Sequence, residues 1–208
     1  VLKLAECWGE LDTEHLVLVG REDWLASQLR SKDIRYEVVN AKGRYSLRYL
    51  QELRRQFRAF NPDAIISHLL GSNTYCSVAA TLAGVPLICV FHGPTDVEGG
   101  SLATKMKLSL VGLLSNKVVF VSEALRNYVQ DLNAFKPGKV AVIHNGTRIP
   151  EPDSSAAARM ENRKLAGDDR RFIVGCVGNL RPAKNYNMLL RVAKLLKNNK
   201  LKITFRIF

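Results

Sequence analysis

With 208 residues, 47% of them hydrophobic and 24% charged, the chain can build one domain and part of a second around ordinary packed cores, which excludes a disordered or fibrous protein. The net charge of +12 is uneven: residues 1–150 hold 18 Lys/Arg against 14 Asp/Glu, and residues 151–208 hold 13 against 5. Such a basic field fits a polyanionic ligand, an anionic membrane face or nucleic acid and does not choose among them.

In chain order, residues 1–8 read as the tail of a helix and residues 15–20 (HLVLVG) as a short buried strand ending in glycine. Trp24, Leu25 and Leu29 give a helical face, and residues 35–40 (RYEVVN) a second strand. Residues 46–60 place Leu47, Leu50, Leu53, Phe57 and Phe60 at helical spacing, with Arg48, Arg54, Arg55 and Arg58 elsewhere around the helix. Asn61, Pro62 and Asp63 stop it.

A strand at 64–68 (AIISH), a helix at 72–83 closed by Gly84 and a strand at 86–91 (PLICVF) follow, the last leading into His92, Gly93 and Pro94. Residues 101–116 form a helix rich in Leu and Met, 117–121 (KVVFV) a strand, Ser122 an N-cap, 123–132 a helix and 139–144 (KVAVIH) a strand ending at Asn145 and Gly146. Helices alternating with short β-branched runs predict an α/β fold, a Rossmann-like parallel sheet covered on both faces. Pro150, Pro152 and the serines after them break the pattern, residues 156–166 read as a helix ended by Gly167, and Phe172 opens a fresh strand-helix-strand unit. The expected division is a first domain at 1–150, a linker with a helix at 151–169, and the beginning of a second domain at 170–208.

Residues 172–196 concentrate the chemistry. An apolar strand at 172–177 delivers Gly178, a short loop carries Asn179, Arg181, Pro182 and Lys184, and a helix follows with Leu189, Leu190, Ala193 and Leu196 on one face. A strand end, a glycine and a helix start aim backbone N–H groups and the positive end of the helix dipole at one point, where Lys184 adds a full charge. That is how a chain builds a phosphate site, and one is expected here. A lysine at a helix start is otherwise unfavourable to the dipole, which argues for a ligand over a merely solvated charge.

Cys7, Cys76, Cys89 and Cys176 lie far apart, and the last three sit within apolar runs, as reduced core cysteines of a cytosolic protein do. No cysteine or histidine spacing and no paired carboxylates suggest a metal. No signal peptide opens the sequence, and no apolar run approaches the roughly 20 residues that span a bilayer. The first residue is Val1 and residues 201–208 read as a strand with no helix after it, so a fragment is expected at both ends.

Four landmarks stand in series: residues 86–93 (PLICVFHG), 118–125 (VVFVSEAL), 140–146 (VAVIHNG) and 175–185 (GCVGNLRPAKN). In this order they resemble the retaining glycosyltransferases of family 4, whose GT-B fold has two facing Rossmann-like domains. The resemblance implies an acceptor-side first domain and a second domain that binds a nucleotide-sugar donor such as a UDP- or GDP-sugar, with no metal or other cofactor. It makes His92 the catalytic histidine that approaches the transferred sugar, and Gly93, Ser122, Asn145 and Gly146 the loops of the acceptor and sugar site. Lys184 becomes the contact to the donor diphosphate, with Arg181, Gly178 and Asn179 beside it. Asn179 stands where the family often has arginine, and Arg181 two residues on is the substitute charge. The family's first strand with its glycine-rich loop, and its later acidic pair, are not among these residues. The chain alone is therefore expected to transfer no sugar.

Read without the resemblance, His92 is equally a capping or core histidine at a strand end, Ser122 an N-cap, and the glycines turn residues. His68 and His144, which also end strands, are taken as structural. The acceptor is expected to be a polysaccharide, another glycan or a lipid-linked molecule, and the setting cytoplasmic, with possible peripheral contact to the inner face of the membrane through the arginine-rich helix at 46–60 and the helix at 101–116. A non-catalytic nucleotide- or carbohydrate-binding module and a GT-B sugar epimerase remain as alternatives. Nucleic acid is not expected as a partner, because exposed aromatics do not interleave with the basic residues. The lack of a GxGxxG after a strand disfavours a dinucleotide oxidoreductase.

Overall fold

The computed structural model describes residues 1–11, 13–40, 46–94, 97, 101–130, 134–146, 172–178, 180–199 and 203–208. The linker, its helix at 156–166 and Asn179 lie outside these residues. The chain divides into two compact units, Val1–Gly146 and Thr147–Phe208.

The first unit opens with α1 (Leu2–Gly9), β1 (Val17–Val19), α2 (Trp24–Ser31) and β2 (Tyr36–Val38). Its second part runs through α3 (Leu47–Phe60), β3 (Ile65–His68), α4 (Leu70–Ala83), β4 (Leu87–Phe91), α5 (Leu102–Leu114), β5 (Lys117–Phe120), α6 (Glu123–Gln130) and β6 (Val140–Val142). β1 pairs with β2, and β3–β4–β5–β6 form a four-stranded sheet; every ladder is parallel. Side chains at helix ends set several boundaries: Asp23 caps Leu25 N at 3.0 Å, Ser46 caps Tyr49 N at 3.1 Å and Ser101 caps Thr104 N at 3.2 Å. Asn61 and Gly84 end α3 and α4 in the left-handed region, where a residue with a short polar side chain or none is accommodated.

The main core lies on the four-stranded sheet and draws on Leu53 and Phe57 of α3, Ala79 and Ala80 of α4, and Leu108 and Val111 of α5. Phe91 and Phe120 stack across β4 and β5 with centroids 5.5 Å apart, and Phe135 lies 5.8 Å from each. A smaller cluster of Val19, Ala26 and Leu29 serves β1 and β2. Two expected core positions face outward instead: Trp24 is 69% exposed and Leu47 78%, because each is the first residue of its helix and projects beyond the packed turns.

The second unit contains β7 (Phe172–Cys176), a 3-10 turn over Pro182–Lys184, α7 (Tyr186–Asn198) and β8 (Ile203–Ile207), with β7 and β8 parallel. Leu189, Ala193 and Leu196 are half-buried as the spacing requires, whereas Leu190 is exposed. The apolar residues Phe172, Ile173 and Val174 of β7 are exposed as well.

Candidate active site

In a parallel sheet every strand delivers its carboxyl end to the same edge, and the residues just past those ends share it. Here the edge of the four-stranded sheet gathers His68 at the end of β3, His92 after β4, Ser122 after β5 and Asn145 after β6. The register fixes the neighbours, since His68 lies opposite Val90, two residues before His92. His68 Nδ1 and His92 Nε2 are 2.9 Å apart, with ring centroids separated by 5.1 Å. His92, the histidine to which the resemblance gives the catalytic role, is exposed. Its partner His68 is the histidine that the sequence reading takes as structural.

Burial pulls His68 down to about 4, and the neighbouring His92 adds to the shift, so His68 is neutral near pH 7. The chain beneath it is tightly held. Ser67 Oγ donates to Asn73 Oδ1 at 2.6 Å, and Asn73 Nδ2 donates to the Val90 carbonyl at 3.2 Å, tying β3, α4 and β4 together through one fully buried amide.

Ser122 is an N-cap as expected, its hydroxyl accepting from Leu125 N at 3.2 Å at the start of α6. Gly93 and Gly146 are not in the left-handed region; among the described glycines only Gly84 has positive φ. A Cβ at Gly93 or Gly146 would meet nothing within 4 Å, so the backbone there does not demand glycine. The turn requirement read from the sequence does not hold at these two positions.

In the second unit, the loop after β7 differs in detail from a helix start bearing a lysine. Lys184 closes the 3-10 turn that Pro182 opens, and Asn185, left-handed at φ 48°, caps Met188 N at 3.3 Å before α7 begins at Tyr186. Proline has the φ of a helical first turn and its missing N–H costs nothing there, so the chain winds early and places Lys184 ahead of the α-helix. Tyr186, not singled out in the sequence, clamps the loop by donating its hydroxyl to the Gly178 carbonyl at 2.6 Å. A Cβ at Gly178 would lie 3.2 Å from that hydroxyl and 3.6 Å from Lys184 Cδ, so glycine here keeps the lysine stem and the loop close. Gly178 N in turn donates to the Phe208 carbonyl at 3.1 Å, joining the loop to the end of β8. Arg181 and Lys184 are exposed side chains at the two ends of this turn.

The buried thiols carry no sign of reactivity. Burial pushes Cys76 up to about 11 and Cys89 up to about 12. Cys7 is exposed and Cys176 half-buried, and all four are free.

Among solved structures, the chain is similar to the Anabaena HepE protein in complex with UDP and glucose, with a TM-score of 0.76 and 19% identity over 99% of this chain and 56% of that one. It is similar also to a glycosyltransferase from Rickettsia africae, with a TM-score of 0.74 and 16% identity over 99% of this chain and 63% of that one. At these identities the likeness establishes the Rossmann-like, GT-B fold. A curated relative, the D-inositol 3-phosphate glycosyltransferase of Streptomyces scabiei, is 28% identical over 162 residues, 70% of this chain and 34% of the relative. The chain thus spans about a third of that relative's length. The sequence model described as Glycosyltransferase Family 4 matches residues 1–149, which include His68, His92, Ser122, Asn145 and Gly146. The chain belongs to glycosyltransferase family 4.

Proposed function

We propose that this chain forms part of an enzyme that transfers a sugar, with retention of configuration, from a nucleotide-sugar donor to a glycan or lipid-linked acceptor. The observation that carries the reading is the alignment of His92, Ser122 and Asn145 along one sheet edge of a family 4 unit. Such an edge is where α/β sheets bind ligands. Among donors a UDP-sugar is the first candidate, because the similar Anabaena structure holds UDP and glucose.

Sugar transfer needs a leaving diphosphate stabilised while positive charge grows on the sugar ring. Lys184 and Arg181 supply fixed positive charge for the diphosphate from the loop that Tyr186 and Gly178 hold, which is electrostatic preorganisation without a metal. His92 stands on the acceptor-side edge as the group that meets the sugar. Isothermal calorimetry with UDP, GDP and their sugars tests this. The chain is expected to bind a UDP ligand, Lys184→Ala to weaken it at least tenfold, and EDTA to leave binding unchanged. No heat with any nucleotide would refute the donor assignment, and loss of binding in EDTA would refute its metal independence.

A second reading concerns location. α5 buries Leu108, Val111 and Gly112 and leaves Leu102, Met106 and Leu113 exposed on its opposite face, beside Lys105. An exposed apolar stripe with a lysine flank suits the headgroup boundary of an anionic membrane. The arginines of α3, with Gln51, Arg54, Arg55 and Arg58 around one shallow groove, add charge of the same sign. This supports peripheral contact with an anionic membrane face, which in a cytoplasmic setting is the inner one. Among the described residues no helix is long and apolar enough to cross a membrane.

A further inference from the structure

Two ring nitrogens 2.9 Å apart, His68 Nδ1 and His92 Nε2, share one proton between them. In one arrangement His68 Nδ1–H donates to a bare His92 Nε2. A neutral imidazole carries a single hydrogen, so His92 then has its hydrogen on Nδ1. In the other arrangement His92 Nε2–H donates to a bare His68 Nδ1, and His68 has its hydrogen on Nε2. The geometry therefore couples the two rings. Both are the Nδ1–H form, or both are the Nε2–H form.

Three further features hold His68 in place to impose this. The half-buried ring is kept neutral near pH 7 by its surroundings, so it offers one donor or one acceptor at Nδ1 and not a second positive charge. Leu69, directly after it, has φ 71° and ψ 146°, a backbone conformation that residues with a side chain rarely adopt. That turn is clamped from both sides: Leu69 N donates to the Val90 carbonyl at 3.2 Å, and Asn73 N donates to the Leu69 carbonyl at 2.8 Å. The same Val90 carbonyl accepts from the Asn73 side chain, so the turn after His68 and the last residues of β4 before His92 are fixed to one another.

We propose that His68 is a positioning residue for His92, coupling the tautomers of the two rings and setting the direction in which the His92 ring meets the bound sugar. This rests on His92 facing the sugar, as in the function proposed above, but the coupling of the two rings does not.

Nitrogen-resolved NMR spectra of the histidine rings, recorded at about pH 8 where neutral imidazole dominates, test it on the whole chain without sugar or nucleotide. The wild type is expected to show the same tautomer, or the same proportion of the two, in both rings. In His68→Leu, the His92 Nε2 signal is expected to move away from its wild-type position, because the hydrogen bond at that nitrogen is lost. In His68→Asn, whose carboxamide stands where Nδ1 stood and can donate or accept, His92 Nε2 is expected to stay hydrogen-bonded and its signal to stay near the wild-type position. Opposite tautomers in the wild-type rings, or His92 signals unaltered by His68→Leu, would overturn the proposal. Should His68→Leu fail to fold, the wild-type tautomers alone decide it. These spectra stand apart from the calorimetry, so failure to bind a nucleotide and failure of the histidine pair are separate outcomes.

Discussion

His68 gives the molecule a dependence on acid. Burial first, then the nearby His92, depresses its basicity to about 4. In the unfolded chain an imidazole titrates near ~6.5. Between these values the unfolded chain takes up a proton that the folded chain refuses, so stability is fully present above about pH 6.5 and declines as the pH falls toward 4. After allowance for solvent around a half-buried ring, the loss is on the order of 1–2 kcal/mol. Urea denaturation at steps from pH 7 to pH 4 is expected to show this decline, and His68→Asn to flatten it. An equal slope in the variant would place the acid sensitivity elsewhere. This residue also marks where sequence reading stops. Its position at a strand end was legible, but its partnership with a histidine 24 residues away depends on how β3 and β4 are registered, and nothing local to either strand encodes that.

At the scale of elements, periodicity located α3, α5 and α7 to within a few residues, because an apolar stripe at 3.6-residue spacing is a local property. What fills the space against a stripe is not local. Gly112, in the body of α5, looks like a defect in a helix, and alanine there gains roughly 1 kcal/mol of helix propensity. Yet a Cβ at Gly112 would lie 2.0 Å from the Ala134 carbonyl oxygen and 3.0 Å from Phe135 Cδ1. The obstacle is main chain and cannot swing aside. Overpacking of about 1–3 kcal/mol wins over the propensity gain, and Gly112→Ala is expected to be destabilising in thermal or chemical denaturation. A neutral or stabilising result would mean that the segment around Ala134 yields. Lys139 strengthens the same corner, its Nζ donating to the carbonyls of Gly112, Leu113 and Ser115 at 3.0, 2.9 and 2.7 Å. These are the open acceptors at the carboxyl end of α5, where a cation also meets the favourable end of the helix dipole.

For the whole molecule, the parallel α/β architecture and the family were both legible, because four motifs in a fixed order carry far more information than any one of them. Exposure was less so. The sequence shows that α5 is rich in Leu and Met, but only packing reveals that Leu102, Met106 and Leu113 stay outside while Leu108 and Val111 go in. Sedimentation with phosphatidylglycerol vesicles at low salt is expected to pull the protein down, with much weaker pull-down by phosphatidylcholine vesicles. Replacing Leu102, Met106 and Leu113 together by serine is expected to reduce binding at least tenfold, since burying one such side chain stabilises by about 1.5–3 kcal/mol. Absence of binding to the anionic vesicles would remove the membrane contact.

The four-stranded sheet has one more consequence, for how the chain acquires its shape. Its strands lie side by side in the order in which they are synthesised, with Ile65 opposite Leu87, Ile88 opposite Lys117 and Val118 opposite Val140, separations of only 22, 29 and 22 residues. Each new strand can dock on the edge left by the one before it once its crossover helix has emerged, with no long loop to close. The growing sheet edge is then always the most recently made strand, and the histidine at the end of β3 is synthesised 24 residues ahead of the one after β4 that it meets.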